Sequence, residues 1–285
     1  MNSVFRMLAE DRALRGEILE TLHAHGIIPH QADERTTFGH ATVQLGFPLA
    51  SDVLRPAVDS LRRADTRSSF ALLDAQQRGL EPGWLVFDAD STLVDAEGID
   101  ELARVAGVGD EVAAITAAAM RGELDYTASL RDRTRRLAGL PWTEVEAVAA
   151  RLPLSPGAEE TVGAAHERGW KVAVVSGGFL PLVGNVAARL GLEHAAAHRL
   201  EVRDGLLTGE IEGPIIDAGA KATIAHRLSG SGSLVAVGDG ANDVPLLKAA
   251  DVGVSFCAKP VLEEVADVVV RRRDLRLALA LGLDD

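Results

Sequence analysis

Cysteine is almost absent from the 285-residue chain, which contains only Cys257. A single cysteine cannot form an internal disulfide, and it excludes a metal cluster built from cysteine pairs. The apolar setting of this residue, VSFCAK, predicts a buried structural thiol and not a nucleophile. Redox chemistry is therefore not expected.

Long apolar runs and a signal sequence are also missing. No segment reaches the roughly 18 uninterrupted apolar residues that indicate a membrane-spanning helix. The N-terminus, MNSVFRMLAEDRALRG, lacks the basic start and continuous apolar stretch of a secretion signal. These absences predict a cytoplasmic protein that has no membrane partner.

Basic residues are too few to balance the acidic ones. Lysine and arginine total 29 and aspartate and glutamate total 42, which gives a formal charge of -13. Such a charge opposes binding to nucleic acid, so we expect no nucleic-acid partner and read most of it as an acidic, solvated surface. An anionic ligand would need a local positive pocket.

Residues 1–80 have the pattern of a small α+β domain in the order βαββαβ. The segments that predict this order are SVFRMLA, ALRGEILETLHAHG, IIPHQADERT, HATVQLGF, SDVLRPAVDSLRRA and SSFALLDA. The glycine- and proline-containing segment QQRGLEPG follows and is typical of a linker or domain boundary.

The rest of the chain has the pattern of an α/β domain. Short, wholly apolar runs (WLVF, KVAVV, LVAV, VGVS and VVV) alternate with helical segments, which favours a parallel sheet covered on both faces. Residues 99–154 show helical periodicity without a strand signal and are predicted to be a helical cap, with the catalytic core formed by 84–98 and 155–285. RLEVRDGLLTGEIEG predicts a β-hairpin.

Polar residues of several types follow the predicted strands. Asp88 and Asp90 follow WLVF, Ser176 follows KVAVV, and Asp239 follows LVAVG. Each alone is more often a helix cap or a turn residue. Because parallel strands end at one edge of a sheet, these residues are expected to share a cleft, where a cation would have to separate the carboxylates. Oxygen ligands without histidine or cysteine favour Mg²⁺.

Four ordered motifs, DADST, VVSGGF, the AK of DAGAK, and GDGAND, resemble those of the haloacid dehalogenase superfamily. Within it, the segments EGIDELA, RGELDYTASLRDR, GWKVAVVSGGF, VGDGANDVPLLKAA and FCAKP resemble the phosphoserine phosphatases, from about Trp84 to Leu277. The resemblance implies a Rossmann-like core with an inserted cap. It also implies Mg²⁺-dependent hydrolysis of O-phospho-L-serine to L-serine and phosphate through an aspartyl-phosphate, the last step of serine biosynthesis.

The resemblance also implies roles for the charged residues of the motifs. Asp88 is the implied nucleophile, and Asp90 is the implied general acid and then base. The implied ligands of Mg²⁺ are Asp88, the backbone carbonyl of Asp90, and Asp239. Lys221 would neutralise developing charge, and Asp243 would orient Lys221 or a metal-bound water without itself binding the metal.

Substrate contacts follow from the same resemblance. Ser176 and Gly177 would bind the phosphate, and Asn242 would contact the phosphoryl group or the substrate. Glu97 would pair with the substrate ammonium, and Arg133 with its carboxylate, since a guanidinium binds a carboxylate in a bidentate manner. Without the resemblance, the arginine-rich segment LRDRTRR would indicate a solvated helix face.

The N-terminal pattern resembles an ACT domain, a module that often senses amino acids. ACT domains commonly have a glycine turn between the first strand and helix, whereas this chain has Ala13-Leu14. Two roles therefore stay open for residues 1–80. One is binding of an amino acid such as L-serine as a regulator, and the other is packing or formation of a homodimer.

Two other functions compete with the main prediction. One is a related phosphotransferase, or a phosphatase for another small phosphate ester, because the phosphoryl machinery would be shared. The other is an amino-acid-sensing regulator with a vestigial phosphatase half. The presence of every residue that the chemistry requires disfavours the regulator.

Overall fold

A computed structural model of the chain describes residues 3–8, 12–24, 26–37, 40–64 and 67–283. The strands are β1 (Ser3–Leu8), β2 (Gln31–Thr37), β3 (His40–Phe47), β4 (Phe70–Asp74), β5 (Trp84–Phe87), β6 (Lys171–Phe179), β7 (His194–Arg203), β8 (Leu206–Glu212), β9 (Leu234–Gly238), β10 (Val252–Phe256) and β11 (Val268–Val270). The helices are α1 (Arg12–Ala24), α2 (Ser51–Ala64), α3 (Ala75–Arg78), α4 (Gly98–Ala106), α5 (Gly109–Met120), α6 (Tyr126–Arg136), α7 (Trp142–Arg151), α8 (Ala158–Glu167), α9 (Leu180–Leu190), α10 (Ala218–Ser229), α11 (Val244–Ala249), α12 (Pro260–Glu263) and α13 (Arg276–Gly282).

The N-terminal unit has the predicted βαββαβ order. Its four strands are antiparallel in the order β2-β3-β1-β4, and apolar side chains of β1, β3 and α2 pack together. Ala13 and Leu14, which were predicted to stand between the first strand and the first helix, lie inside α1. Residues 9–11, which precede this helix, lie outside the described residues. The resemblance to an ACT domain stays a prediction.

The second half folds around a parallel sheet, as the apolar runs predict. Strands β11, β10, β9, β5, β6 and β7 are parallel neighbours in this order, and β8 returns antiparallel to β7 as the predicted hairpin. In the register of the sheet, Phe87 of β5 lies opposite Val174 of β6 and Val237 of β9. The residues at the carboxyl ends of these three strands therefore share one edge of the sheet.

The two sheets are joined into one, which the linker prediction did not anticipate. β4 pairs antiparallel with β11, so the described residues form a continuous eleven-stranded sheet. The predicted linker QQRGLEPG begins inside α3, which Asp74 and Gln77 cap reciprocally. The N-terminal unit is therefore attached through main-chain hydrogen bonds as well as through the chain itself.

A buried ion pair supports this junction. The Nη2 atom of Arg271 lies 2.6 Å from Oε2 of Glu263, and both side chains are largely buried. The same Nη2 atom donates to the carbonyl of Arg62, and the Arg271 amide donates to Oγ of Ser69. Arg271 thus connects the end of β11 to the N-terminal unit.

The insertion after β5 consists of four helices, α4 to α7, where the sequence indicated helical structure over residues 99–154 without giving the number of helices. It also rests on the hairpin, because the amides of Gly139 and Trp142 donate to the carbonyls of Leu207 and Gly205, both at 2.8 Å. The hairpin strand β7 begins earlier than predicted, at His194, where it joins the parallel sheet. Among the described helices, none combines the length and the apolar character needed to cross a membrane.

Cys257 departs from its predicted environment. It lies directly after β10 and is only partly buried, with a φ of +46°. Burial raises the pKa of its thiol, so the partial exposure does not produce a reactive thiolate.

Replacing Arg271 by methionine is expected to lower the free energy of unfolding by about 3 kcal/mol, because Glu263 would be left as an uncompensated buried carboxylate. Urea unfolding followed by circular dichroism measures this loss.

The double variant R271M/E263L should lose less stability than R271M, since removal of both charges also removes the desolvation cost. The exposed pair Arg121–Glu123 supplies a control, and R121M should change stability by less than about 0.5 kcal/mol. An R271M effect as small as that of R121M would contradict the role of Arg271 at the junction.

Candidate active site

All ten residues predicted to form a site come together at the carboxyl edge of the parallel sheet. Eight of them line one cavity of about 410 Å³: Asp88, Asp90, Glu97, Arg133, Ser176, Gly177, Asp239 and Asn242. The other two, Lys221 and Asp243, lie buried beneath the cavity floor and contact Asp88 or its neighbours. The cleft is formed by strand ends below and by cap residues above.

Lys221 is the buried cation of the site, with 1% of its surface exposed. Its Nζ atom lies 2.8 Å from Oδ2 of Asp88 and 2.8 Å from Oδ1 of Asp243. Burial alone would lower the pKa of Lys221, but the two carboxylates outweigh it and raise that pKa above its ordinary value. Lys221 is therefore a permanent positive charge beside Asp88.

Three carboxylates surround the floor of the cavity closely enough to hold a metal ion. One oxygen from each of Asp88, Asp239 and Asp243 lies within 4.8 Å of the others. Burial, followed by repulsion from Asp88, raises the pKa of Asp239 to about 7. A carboxylate in this position gains from a divalent cation, and oxygen-only ligands suit a hard cation.

Both carboxylate oxygens of Asp243 already have partners within the protein, as do those of Asp88. Oδ1 of Asp243 accepts from Lys221, and Oδ2 accepts from the amides of Asp239 and Gly240 at 3.3 and 3.2 Å. A Cβ on Gly238 would lie 2.6 Å from Asp243, so only glycine leaves room for this side chain. The arrangement favours Asp243 as a support for Lys221 and for the turn that carries Asp239.

Asp90 is held by the turn that follows β5. The next residue, Ser91, has a φ of +56°, a conformation that costs energy for a residue with a side chain. This turn brings Oδ1 of Asp90 to 2.9 Å from the amide of Gly98. Burial, then repulsion from Glu97 and Asp88, raises the pKa of Asp90 to about 7, so the group can both donate and accept a proton near neutral pH.

Ser176 lies within β6 and not after it, because the strand continues to Phe179. Its pairing with β7 shifts register between Val175 and Phe179, and this irregular stretch next to Asp90 is here called the loop of Ser176–Gly178. Oγ of Ser176 accepts from the amide of Gly178 at 2.9 Å. A Cβ on Gly178 would lie 2.9 Å from Oδ2 of Asp90, so the loop can approach this carboxylate only because the residue is glycine. Hydroxyl and amide groups gathered in this way can bind an anion such as phosphate.

Asn242 contacts two of the carboxylates at the floor of the cavity. Its Nδ2 atom is 3.4 Å from Oδ2 of Asp88 and 3.4 Å from Oδ1 of Asp243. Its amide is thus placed to contact a group bound at Asp88.

Glu97 and Arg133 lie on the cap side of the cavity. Oε1 of Glu97 accepts from Oγ of Ser91 at 2.9 Å, and burial raises the pKa of this carboxyl group. Arg133 lies on α6 and makes a 3.4 Å hydrogen bond to the carbonyl of Ser129 on the same helix. The neighbouring Arg131 instead faces Glu210 of the hairpin, so one arginine of LRDRTRR points into the cleft and another points away.

Three residues near the site were missed by the sequence analysis. Tyr126 and Lys259 line the cavity, and His198 is buried behind the loop of Ser176–Gly178. Tyr126 is the only tyrosine of the chain and stands at the start of a predicted cap helix, and this was the one available signal. His198 lies within the alanine-rich start of β7, which had no strand signal.

Comparison with known proteins places this architecture in a family. Residues 85–248, more than half of the chain, match the family model described as haloacid dehalogenase-like hydrolase. Over 197 residues the chain is 47% identical to the phosphoserine phosphatase of Methanocaldococcus jannaschii, an alignment that covers 67% of this chain and 93% of that protein.

Solved structures agree with this placement. A HAD family hydrolase from Salmonella enterica serovar Typhi aligns over 100% of both chains with a TM-score of 0.86 and 30% identity. A phospho-aspartyl intermediate analogue of phosphoserine phosphatase aligns over 70% of this chain and 98% of its own, with a TM-score of 0.66 and 45% identity. The chain therefore belongs to the haloacid dehalogenase-like hydrolase family.

Proposed function

We propose that this protein is a phosphatase that hydrolyses O-phospho-L-serine to L-serine and inorganic phosphate. The observation that carries the proposal is the convergence, in one cavity, of phosphoryl-transfer groups with a carboxylate and a guanidinium. Asp88, Asp90 and Ser176 form the floor, whereas Glu97 and Arg133 lie on the cap side. The similarity to phosphoserine phosphatases over two thirds of the chain supports the same substrate.

Asp88 is proposed to attack phosphorus and to carry the phosphoryl group as an aspartyl-phosphate. Its carboxylate lies at the end of β5, where Lys221 and the amide of Ala89 hold its two oxygens. The attack forms a P–O bond to Asp88 while the P–O bond to the seryl oxygen breaks. Lys221, Ser176 and the amides of its loop offset the negative charge that the phosphoryl oxygens gain in the transition state.

Asp90 is proposed to transfer the proton in each of the two half-reactions. In the first, it donates a proton to the seryl oxygen as that oxygen leaves. In the second, it accepts a proton from the water that attacks the aspartyl-phosphate, and phosphate departs with Asp88 restored. A pKa near 7 suits a group that must act first as an acid and then as a base.

A divalent metal ion is proposed to complete the floor, with Mg²⁺ as the expected ion. Asp88, the backbone carbonyl of Asp90, and Asp239 would hold it, while Asp243 would keep Lys221 and the Asp239 turn in place. When bound, Mg²⁺ supplies positive charge to the phosphoryl oxygens and relieves repulsion among the carboxylates.

Glu97 and Arg133 are proposed to select a zwitterionic substrate. The buried carboxyl group of Glu97 offers a partner for the substrate ammonium, and the Arg133 guanidinium offers two parallel donors for the substrate carboxylate. The cap helices would exclude bulk water when the substrate is bound, which strengthens these charged contacts. The cavity of about 410 Å³ suits a small molecule more than a folded phosphoprotein.

Three further proposals depend on this activity. These are a cytoplasmic location, a place as the last step of serine biosynthesis, and a regulatory or dimer-forming role for residues 1–80. Transfer of the phosphoryl group to an acceptor other than water is the remaining alternative activity. Assays with phosphoserine, phosphothreonine and sugar phosphates, with and without homoserine as acceptor, would separate these activities.

Replacing Asp88 by asparagine should lower the rate of phosphoserine hydrolysis by about three orders of magnitude or more, because the nucleophile is lost while the shape is kept. Acid quenching during turnover of ³²P-labelled phosphoserine should leave label on the wild-type protein and none on D88N. Circular dichroism should show that D88N remains folded. Substantial activity in D88N would contradict the covalent mechanism.

Removing divalent metal with EDTA should abolish hydrolysis, and excess Mg²⁺ should restore it, because the crowded carboxylates then lose and regain their cation. Phosphate release measures both steps. D239N is expected to raise the Mg²⁺ concentration needed for half-maximal activity by about tenfold or more. Full activity in EDTA, or an unchanged Mg²⁺ requirement in D239N, would refute the proposed metal site.

Replacing Arg133 by alanine should lower kcat/KM for phosphoserine by about 10- to 100-fold, since a hydrogen-bonded charge pair contributes about 1.5–3 kcal/mol. Phosphoethanolamine lacks the carboxylate, so its hydrolysis should be slow in the wild type and little changed in R133A. The matched control is R131A on the same helix, because Arg131 faces the hairpin. Equal losses in R131A and R133A would contradict substrate selection by Arg133.

A further inference from the structure

A buried histidine behind the phosphate-binding loop links two parts of the site. His198 lies on β7 with 1% of its surface exposed. Its Nδ1 atom is 3.1 Å from the carbonyl oxygen of Gly177 and 3.2 Å from that of Gly178. On the other side of the ring, Nε2 lies 2.7 Å from the amide nitrogen of Ile216.

These partners determine the protonation state of the ring. The Ile216 amide can only donate, so Nε2 must be an acceptor without a proton. The carbonyls of Gly177 and Gly178 can only accept, so Nδ1 must carry the proton. His198 is therefore a neutral imidazole with both nitrogens occupied, in agreement with the lowering of its pKa by burial.

The Ile216 end of this contact leads directly to Lys221. Asp217, the next residue, caps α10, and its side chain accepts from the amide of Ala220 at 2.8 Å. The helix then presents Lys221 to Asp88. The two nitrogens of the His198 ring thus hold the loop of Ser176–Gly178 at a fixed distance from the start of the helix that carries Lys221.

Tyr126 of the cap contacts two of the same residues, Gly177 and Ile216, through their carbonyl groups. Its hydroxyl lies 3.4 Å from the carbonyl oxygen of Gly177 and 3.2 Å from that of Ile216. Burial raises the pKa of this hydroxyl to about 12, so it stays a donor. A Cβ at Gly177 would lie 2.5 Å from the hydroxyl oxygen, so the approach requires glycine there.

We propose that His198 and Tyr126 are positioning residues that join the phosphate-binding loop, the start of α10 and the cap into one hydrogen-bonded unit, here termed the carbonyl bridge. The bridge consists of these two side chains and the backbone groups of Gly177, Gly178 and Ile216. His198 sets the distance between the phosphate loop and α10. Tyr126 shares the carbonyl of Gly177 with His198 and also donates to the carbonyl of Ile216, so the cap is joined to the unit that His198 forms.

This inference rests on the proposed phosphatase activity and deepens it. Neither side chain touches the reacting atoms. Each acts on the placement of Ser176 and Lys221, the two side chains proposed to contact a phosphate ester. Because the bridge acts on phosphate placement, it should affect every phosphate ester and not only phosphoserine.

The variants H198N and Y126F test the bridge. An asparagine amide can reproduce the donor at Nδ1 but is too short to accept from Ile216, and phenylalanine removes only the hydroxyl of Tyr126. Each variant should lower kcat/KM by about tenfold for both phosphoserine and p-nitrophenyl phosphate, and weaken inhibition by inorganic phosphate. H194N, at the far end of β7, is the matched control and should leave these constants unchanged.

Coupling between the two residues is the decisive measurement. Because both side chains act on Gly177 and Ile216, the double variant should lose clearly less than the product of the single losses. Multiplicative losses would overturn the bridge, as would single variants with wild-type constants. Y126F changes only a cap hydroxyl, so it supplies an independent test if H198N is unstable.

Hydrogen exchange separates failure of the bridge from failure of the proposed function. In the full-length protein, H198N should accelerate exchange of the Ile216 amide by about tenfold, and H194N should not. Unchanged exchange in H198N would overturn the bridge whatever the substrate. An inactive wild type toward phosphoserine, with accelerated exchange in H198N, would instead reject the proposed substrate and keep the bridge.

Discussion

The site depends on a single buried cation, Lys221, held between Asp88 and Asp243. A lysine this deeply buried is stable only when carboxylates compensate its charge, and the carboxylates in turn are tolerated only beside the lysine. The three charges come from different elements: the end of β5, helix α10, and the turn after β9. They meet only if the strands are parallel and in register, so the electrostatics of the cleft and the topology of the sheet require each other.

The single positive charge of Lys221 does not neutralise all of the carboxylates at this edge of the sheet. Asp88, Asp239 and Asp243 surround it, and Asp90 lies next to Asp88 with a pKa raised to about 7. The excess of carboxylates favours a divalent cation, while Lys221, the loop amides and a bound cation together would favour a phosphate ester. These groups would supply positive charge locally, so an anion could bind in the cavity although the whole protein is acidic.

The strands and the polar residues at their ends followed from the sequence because their signals are local, whereas Glu97 and Arg133 were assigned only through the family resemblance. The run WLVF is apolar at every position, and the polar residues that follow such runs converge once the sheet is parallel. The start of β7, HAAAH, was missed because alanine and histidine have little strand preference. The pairing of β4 with β11 joins segments nearly 200 residues apart and leaves no local pattern. His198 was missed for a related reason, since its role exists only through backbone groups brought to it by the fold.

The continuous sheet changes how the N-terminal unit can affect the cleft. A unit on a flexible linker would act by swinging toward or away from the cap, whereas this one is fixed by the pairing of β4 with β11 and by Arg271. From β11 the sheet continues to β10, beyond which the amide of Lys259 donates to the carbonyl of Asp239 at 3.1 Å. A ligand or partner bound to the N-terminal unit would therefore act on the site by shifting packed strands. Because packed strands move little, such an effect would alter the placement of Asp239 and its cation more readily than access to the cleft.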